Sequence, residues 1–231
     1  MKMRIRFTKI GRVRWTSHRD VARMWERALR RARLPMAYTE GFSPRPKLSF
    51  GLALPTGCES EAEYLDVALR EPVAPAVVTS SFSSLLPDGV DVLGAQVLPA
   101  GAGSLQEEVT SCRWEIDVPQ MDPDALSEAI ARVLGAEVLS VTRERKGRPV
   151  TDDLRPSVLG LSSAGPSGAG SVLVAELGTR PRGVRPAELA QVMGTELGRA
   201  RRTHQWIERD GSRWEPVAVP AAHAAVWERA S

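Results

Sequence analysis

Apolar and basic residues alternate along the first 15 residues of the chain. Ile5, Phe7, Val13 and Trp15 alternate with arginines at every second position, a period that predicts a half-buried strand with a basic outer face. Ile10-Gly11 interrupts the alternation and predicts a turn or bulge. The segment is therefore expected to form a strand pair or one long bent strand.

The period changes to that of a helix at Ser17. Ser17 is a favoured N-cap residue, and Asp20 stands three positions on, where a carboxylate complements the helix dipole. The apolar stripe of this helix consists of Val21, Trp25, Ala28, Leu29 and Ala32. Arginines lie on or near the opposite side at three- and four-residue steps, namely Arg19, Arg23, Arg27, Arg30 and Arg31. The helix is predicted to end near Arg33, because Pro35 cannot continue it.

The rest of the chain predicts a similar order of elements twice. After the first helix, the expected elements are strands over 47–54 and 63–69, a helix over 75–86 and a strand over 90–98. The second half predicts a strand over 112–118, a helix over 123–134 capped by Asp122, strands over 138–145, 154–163 and 171–177, a helix over 186–198, and a hairpin over 203–219 that turns at Asp210-Gly211. The predicted fold class is α+β, with tandem ferredoxin-like (βαββαβ) units and antiparallel sheets.

Composition places the expected domain boundaries. Residues 99–109 are rich in small residues and predict a linker. The division is a basic N-terminal unit over 1–98, the linker 99–109, a second unit over 110–219 and a loose tail over 220–231. A hydrophobic fraction of 42% argues against wholesale disorder.

Charge is distributed unevenly along the 231 residues. Residues 1–50 contain 14 Lys/Arg and 3 Asp/Glu, a balance of +11, whereas residues 51–231 have a balance of −8. Such a split predicts a polyanion-binding surface at one end of the molecule. The alternative is that arginine is simply the solubilising residue that a GC-rich genome favours.

Targeting segments and metal sites are not indicated. An apolar run of transmembrane length and the apolar region of a signal peptide are both missing, so we expect a cytoplasmic protein that does not contact membrane. Three histidines and the cysteines Cys58 and Cys112 lack the spacing of metal ligands, so no metal or other cofactor is expected in this chain. The glycines in GPSGAG, around Gly165, predict a hairpin turn and not a nucleotide loop.

The basic N-terminal region carries the strongest functional signal. Arginine forks on one helix face can bind phosphate oxygens, and Arg45 and Lys47 follow in a loop. Tyr38 and Phe42 could stack on unpaired bases, as recognition of single-stranded RNA requires. Prolines in that loop would reduce the cost of ordering it. The alternative is a solvated helix face and a structural loop whose Phe42 fills the core.

Catalysis has weaker candidates. His18 could act as a general base in RNA cleavage, although its cationic neighbours disfavour the charged imidazole, so a structural role is the alternative. Asp152 and Asp153 could act as acid–base groups or as a nucleophile. They could equally be turn residues, with Asp153 and Arg155 forming a local pair.

The segment from Ser17 to Asp66 resembles the bacterial radical SAM-linked protein family, also called domain of unknown function 2344. The motifs that carry the resemblance are His18-Arg19-Asp20, Arg27-Ala28-Leu29-Arg30-Arg31-Ala32, Leu34-Pro35, Gly41-Phe42-Ser43-Pro44, Pro46-Lys47-Leu48-Ser49-Phe50, Gly57, Ser60 and Glu63-Tyr64. The run Asp153-Leu154-Arg155-Pro156 resembles a later motif of the same family. The resemblance as a whole covers most of the first 160 residues.

The resemblance implies a partner. Members of that family lie beside, or are fused behind, a radical SAM protein with a cobalamin-type cofactor. This chain lacks the CxxxCxxC motif, so an iron–sulfur cluster, S-adenosylmethionine and cobalamin would belong to the partner. The expected function is an accessory protein that binds RNA and presents it for RNA- or ribosome-related modification.

Two other functions stay open. The first is an enzyme that modifies or cleaves RNA by itself, since tandem ferredoxin-like units are similar to tRNA pseudouridine synthases and to repeat-processing RNA endonucleases of CRISPR systems. That similarity is one of fold only. The second is an adaptor that binds only the radical SAM protein. The sequence does not indicate an oligomeric state.

Overall fold

The structure is a computed structural model that describes residues 1–145, 147–168 and 170–218. The chain divides into two compact units: Met1–Glu108 with the segment that begins at Trp214, and Val109–Arg213. The predicted tail, 220–231, lies outside the described residues. The boundaries at 98 and 110 stay a prediction, and the predicted linker contains a short helix whose Leu105 is buried.

The first unit begins with a strand and a helix joined by a 3-10 turn. Its elements are β1 (Lys2–Lys9), the 3-10 turn Gly11–Trp15, α1 (His18–Arg31), β2 (Leu48–Phe50), β3 (Glu59–Ala68), α2 (Pro75–Ser81), the 3-10 turn Ser83–Leu85, β4 (Val92–Leu98) and α3 (Leu105–Glu108). The strand order is β4-β1-β3, and β2 pairs with β3; these pairs are antiparallel.

The core of the first unit lies between α1 and the strands. Ser17 caps α1, since its hydroxyl accepts from the Asp20 amide. The apolar stripe of α1 then faces the sheet, where the buried Trp25 contacts Phe7 edge-on at a ring distance of 4.9 Å and Phe82 at 6.4 Å. Burial of this stripe forces the arginines at three- and four-residue steps toward solvent.

The second unit combines a longer sheet with an additional hairpin. Its elements are β5 (Ser111–Pro119), α4 (Pro123–Gly135), β6 (Ser140–Arg145), β7 (Arg148–Asp153), the 3-10 turn Arg155–Ser157, β8 (Val158–Ser167), β9 (Gly170–Gly178), α5 (Pro186–Met193), β10 (Ala200–Arg209) and β11 (Ser212–Trp214). The strand order is β10-β5-β9-β8, all antiparallel, while β6 and β7 pair with each other and β11 pairs with β10. The carboxylate of Asp122 caps α4 at the Ala125 amide, as predicted.

An α+β fold with mostly antiparallel strands is confirmed, and several predicted bounds are wrong. Residues 3–15 form neither a strand pair nor one long bent strand, because Gly11 takes a positive φ of 68° and a 3-10 turn follows β1. The helix predicted over 186–198 ends at Met193, where Gly194 adopts a left-handed conformation. The predicted hairpin at Asp210-Gly211 is present, but its second strand is only Ser212–Trp214.

The glycine-rich GPSGAG segment lies at the turn of a hairpin, as predicted, but Gly165–Ser167 belong to β8 and Gly170 begins β9. Ser167 pairs with Gly170 at the end of β8 and β9, and Gly165 has a φ of 101°. Within the described residues, no helix is long and apolar enough to span a membrane.

Candidate nucleic-acid interface

The five arginines predicted on α1 are all exposed. Two of them form exposed ion pairs within the helix, Arg23 with Asp20 at 3.3 Å and Arg30 with Glu26 at 3.8 Å. Arg19, Arg27 and Arg31 form no ion pair with any carboxylate among the described residues. Exposed pairs contribute well under ~1 kcal/mol, so all five guanidinium groups are available to an anion. We call these five residues the α1 arginine face.

The arginines of the opening strand do not belong to this face, and their predicted exposure is wrong. Arg4 is 3% exposed, and its Nε lies 2.7 Å from Oδ1 of Asp66 on β3. The buried Arg6 forms an ion pair with Glu215 at 2.7 Å. These side chains point to the side of the sheet away from α1, because Met3, Ile5 and Phe7 fill the α1 side. The basic strand surface expected from the sequence is therefore an internal ion-pair network.

The segment between α1 and β2 forms a hairpin with an aromatic tip. Tyr38 bridges to Pro46, and the Thr39 amide donates to the Arg45 carbonyl at 2.8 Å. The Arg45 amide donates in return to Thr39 Oγ1 at 3.0 Å. Phe42, at the tip, is fully exposed. The alternative that Phe42 fills the core is therefore wrong. The ring lies in solvent at the tip of a hairpin that is closed by hydrogen bonds.

Tyr38 has a different surrounding from Phe42. Its half-buried ring packs against the core, and the Arg70 guanidinium lies over it at 5.5 Å. Arg70 is fixed in turn by donation from Nε to the Met36 carbonyl at 2.9 Å. Tyr38 thus supports the base of the hairpin, where Lys47 is also located, because the Lys47 amide donates to the Ala37 carbonyl at 2.9 Å. Arg45 lies nearer the tip, and both Arg45 and Lys47 are exposed. In this arrangement Phe42, and not Tyr38, offers a free aromatic face.

His18 stands at the start of α1, next to a small cavity. Its exposed ring contacts Phe50 edge-on at 5.1 Å. Lys9, Glu63 and His18 all line a cavity of about 20 Å³. A volume of this size holds about one water molecule, which is far smaller than a nucleotide. The sequence did not predict that Lys9 and Glu63 would lie around His18, because each is on a different strand.

Asp152 and Asp153 both have structural partners. Asp152 Oδ2 accepts from Arg143 Nε at 2.7 Å and from Arg182 Nε at 2.9 Å. Asp153 Oδ1 accepts from the amides of Leu139 and Arg155 at 2.8 and 2.9 Å. The hydrogen bond from Arg143 lowers the pKa of Asp152, and the two backbone amides lower the pKa of Asp153. A lowered pKa makes a carboxylate a weak general base, so these contacts favour the structural interpretation of the pair.

The lowered pKa of Asp152 predicts acid sensitivity. A carboxylate whose pKa is depressed in the folded state adds stability above its unfolded pKa of about 3.9, and that stability is lost as the pH falls through the folded pKa. We expect Asp152→Asn to unfold at a lower urea concentration than the wild type at pH 6 and at the same concentration near pH 2. The control is Asp88→Asn, at an exposed position for which no hydrogen bond or ion pair is found in the described ranges. A stability difference for Asp152→Asn that does not change with pH would contradict the prediction.

The comparison with protein families decides where the chain belongs. The model of the family DUF2344, described as "Uncharacterized protein conserved in bacteria", matches residues 2–186. The chain belongs to DUF2344. No curated protein matches it. The part that matches DUF2344 includes the α1 arginine face, the hairpin with Phe42, and both Asp152 and Asp153.

Sequence reasoning missed one exposed aromatic residue in the DUF2344 match. The alternation predicts Trp15 on the inner side of a strand, but the residue ends the 3-10 turn before α1 and is 63% exposed. The signal that could have revealed it is Gly11, since a glycine inside an alternating pattern indicates a break in the strand. After that break the strand's alternation no longer determines which side chains point into the core and which point to solvent.

A second group of aromatic side chains lies outside the DUF2344 match, and its rings are already in contact with other side chains of the chain. His204 and Trp206 on β10 stack in parallel at a ring distance of 4.9 Å, and Arg213 lies over the Trp206 ring at 4.3 Å. Arg213 also pairs with Glu176. Since these rings and the guanidinium bind each other, they offer less free aromatic surface than the fully exposed Phe42 does.

Proposed function

We propose that this chain binds RNA through the α1 arginine face and the Phe42 hairpin. The observation that carries the proposal is the exposure of all five arginines on the side of α1 opposite its buried stripe. From Arg19 to Arg31 the helix rises by about 18 Å, at ~1.5 Å per residue.

The chemistry of the face suits phosphate. Each guanidinium is planar, permanently charged and able to donate two parallel hydrogen bonds to one phosphate. Arg19, Arg27 and Arg31 have no carboxylate partner in the residues that the structure describes, so binding an anion there breaks no existing ion pair. The pairs formed by Arg23 and Arg30 are exposed and easily exchanged. Binding a polyanion to the α1 arginine face therefore breaks few stabilising ion pairs.

The hairpin adds an aromatic ring, which is not required for contacts with phosphate. Phe42 has a fully exposed ring, and the exposed Arg45 and Lys47 supply positive charge on the same hairpin. The hydrogen bonds between Thr39 and Arg45 order the hairpin before it binds, which lowers the entropy cost of association. In RNA recognition, exposed aromatic rings stack on unpaired bases.

The ferredoxin-like nature of the two units is also a proposal. The strand orders β4-β1-β3-β2 and β10-β5-β9-β8 support it, because each matches a βαββαβ unit in which the last strand lies beside the first. In the second unit the hairpin β6–β7 would be an insertion after the first helix. Sheets of this kind recur in RNA-binding modules.

The proposed role is accessory and not catalytic. The cavity beside His18 has room for about one water, which favours binding over turnover in this chain. Following its resemblance to the radical SAM-linked proteins, the chain would present RNA to a radical SAM protein, and that partner would carry the iron–sulfur cluster, S-adenosylmethionine and cobalamin. Cleavage or modification of RNA by the purified chain alone would contradict this role, and His18→Ala would then test the histidine.

The salt dependence of RNA binding tests the arginine face. Each phosphate neutralised contributes about 0.7–0.9 to the slope of log K against log salt. We expect the triple variant Arg19→Ala/Arg27→Ala/Arg31→Ala to lower the slope by about 2–3 relative to wild type, because three contacts are removed. The measurement is fluorescence anisotropy with a labelled RNA across a series of salt concentrations.

A matched control separates the face from net charge. The triple variant Arg132→Ala/Arg148→Ala/Arg209→Ala removes the same charge from exposed positions of the second unit. The proposal requires that this control keep the wild-type slope. An equal decrease in both variants, or the absence of RNA binding by the wild type, would exclude the α1 arginine face as the site. A protein complex that survives nuclease treatment would instead favour the adaptor.

A further inference from the structure

Trp15 is an exposed tryptophan with a structured support on one side. Its six-membered ring lies against the backbone of Gly57, so close that a Cβ atom at position 57 would lie 2.8 Å from Cζ3 and 3.2 Å from Cη2. Gly57 also has a φ of 89°, which side chains rarely adopt. Both facts require glycine there. The indole is thus seated on a glycine, with 63% of the residue accessible to solvent.

The turn that carries Trp15 is held at several points. Lys9 Nζ donates to the Thr16 carbonyl at 3.0 Å, directly after Trp15. Glu59 Oε1 accepts from the Gly11 amide at 3.0 Å and from Arg14 Nη1 at 3.1 Å. The Gly57 amide donates to the Arg14 carbonyl at 2.9 Å, which fixes the supporting glycine to the same turn. An exposed indole on a turn held in this way is preorganised for a contact.

Three arginines lie within four residues of Trp15 along the chain. Arg12, in the same turn, and Arg19, in the first turn of α1, are exposed. The Arg14 guanidinium lies 5.3 Å from the Trp15 ring. A protein partner that buried a tryptophan would be matched by a surrounding apolar patch. An aromatic ring among arginines instead matches a base attached to a phosphate backbone.

We propose that Trp15 is a stacking platform for an unpaired base of an RNA strand whose phosphates contact the α1 arginine face. This inference rests on the proposed function and specifies its substrate class as RNA with at least one unpaired nucleotide. Trp15 would stack on the base, while Gly57 is a positioning residue that seats the indole. Trp15 lies two residues before Ser17, the N-cap of α1, so the platform adjoins the end of the arginine face that carries Arg19.

The test compares a single strand with a duplex. The probes are a labelled uridine RNA oligomer of about ten nucleotides and a blunt RNA duplex of about ten base pairs, at one salt concentration. Stacking of one base corresponds to roughly a tenfold change in affinity, so Trp15→Ala should weaken binding of the single strand by about tenfold. Binding of the duplex, whose bases are already stacked, should stay within about twofold of wild type.

Two further variants isolate the platform. Gly57→Ala should produce the same selective loss with Trp15 still present, because the new Cβ displaces the indole. Trp214→Ala removes another partly exposed tryptophan and should leave both probes bound as in wild type. Binding of the uridine oligomer should also quench tryptophan fluorescence in the wild type and not in Trp15→Phe. Circular dichroism of each variant confirms that it is folded.

The other outcomes are distinguishable. Unchanged binding of the single strand by Trp15→Ala, together with loss of binding by the triple arginine variant, would overturn the platform and leave the proposed function standing. An equal loss on both probes would also overturn it, since stacking on an unpaired base cannot explain weaker duplex binding. A wild type that binds neither probe would overturn both proposals.

Discussion

Replacing Asp66 by alanine is expected to lower the free energy of unfolding by about 3–5 kcal/mol, because it leaves a buried guanidinium without its main partner. Arg4 and Asp66 lie directly opposite each other on β1 and β3 and are 3% and 4% exposed. Two hydrogen bonds join them, from Nε to Oδ1 at 2.7 Å and from Nη2 to Oδ2 at 3.0 Å. The remaining contacts of Arg4 are long, at 3.6 Å to Glu108 and 3.4 Å to the Gly103 carbonyl.

Urea denaturation followed by circular dichroism checks this loss. The double variant Arg4→Met/Asp66→Leu serves as the comparison, because it removes both charges and fills the space with apolar groups. A buried ion pair replaced in that way is often neutral in stability, so we expect the double variant to be much closer to wild type than Asp66→Ala is. Asp66→Ala within about 1 kcal/mol of wild type would mean that Arg4 is not held by this carboxylate, contrary to the geometry.

The same ion pair shows why part of the site could not be predicted. The period of α1 and its cap at Ser17 depend on residues within a few positions of each other, so the helix and its arginine face were predictable from local pattern. The partner of Arg4 is 62 residues away. An arginine that alternates with apolar residues looks exposed in sequence, and only the pairing of β1 with β3 places a carboxylate opposite it.

Phe42 and Trp15 illustrate a second limit. A phenylalanine in a proline-containing loop can fill a core or stand in solvent, and the sequence left both possibilities open. The hydrogen bonds between Thr39 and Arg45 decide between these two possibilities, because they close the hairpin and leave Phe42 at its tip in solvent. Trp15 required knowledge of Gly57, which lies far along the chain and seats the indole. Aromatic residues therefore become interpretable as binding groups only when the residues that support them are known.

The run from Asp152 to Pro156 leads to the second large effect. Arg155 donates to three backbone carbonyls, from Nη2 to Leu134 at 3.1 Å, from Nε to Ala136 at 3.1 Å and from Nη1 to Val158 at 3.0 Å. Leu134 belongs to the last turn of α4, whose carbonyls have no partner within the helix. One planar fork thus ties the end of α4 to the start of β8. The run, which the sequence offered as a candidate for chemistry, is here a structural clamp.

Arg155→Ala is expected to destabilise the second unit by about 2 kcal/mol, because hydrogen bonds from a charged donor are lost and the carbonyls at the end of α4 must find water instead. Arg155→Lys should restore less than half of the lost stability, since one ammonium cannot donate to three carbonyls as the planar guanidinium does. Arg132→Ala, an exposed position on α4, should stay within about 0.5 kcal/mol of wild type.

Thermal unfolding and RNA anisotropy together decide between clamp and chemistry. For the clamp, Arg155→Ala lowers the midpoint of unfolding while RNA affinity, measured where the protein is still folded, equals that of wild type. A catalytic group would behave in the opposite way, because a residue that contacts a reacting atom can be removed with little effect on stability. If Arg155→Ala unfolded at the wild-type midpoint and also lost an RNA-dependent activity, Asp152 and Asp153 would again be candidates for chemistry.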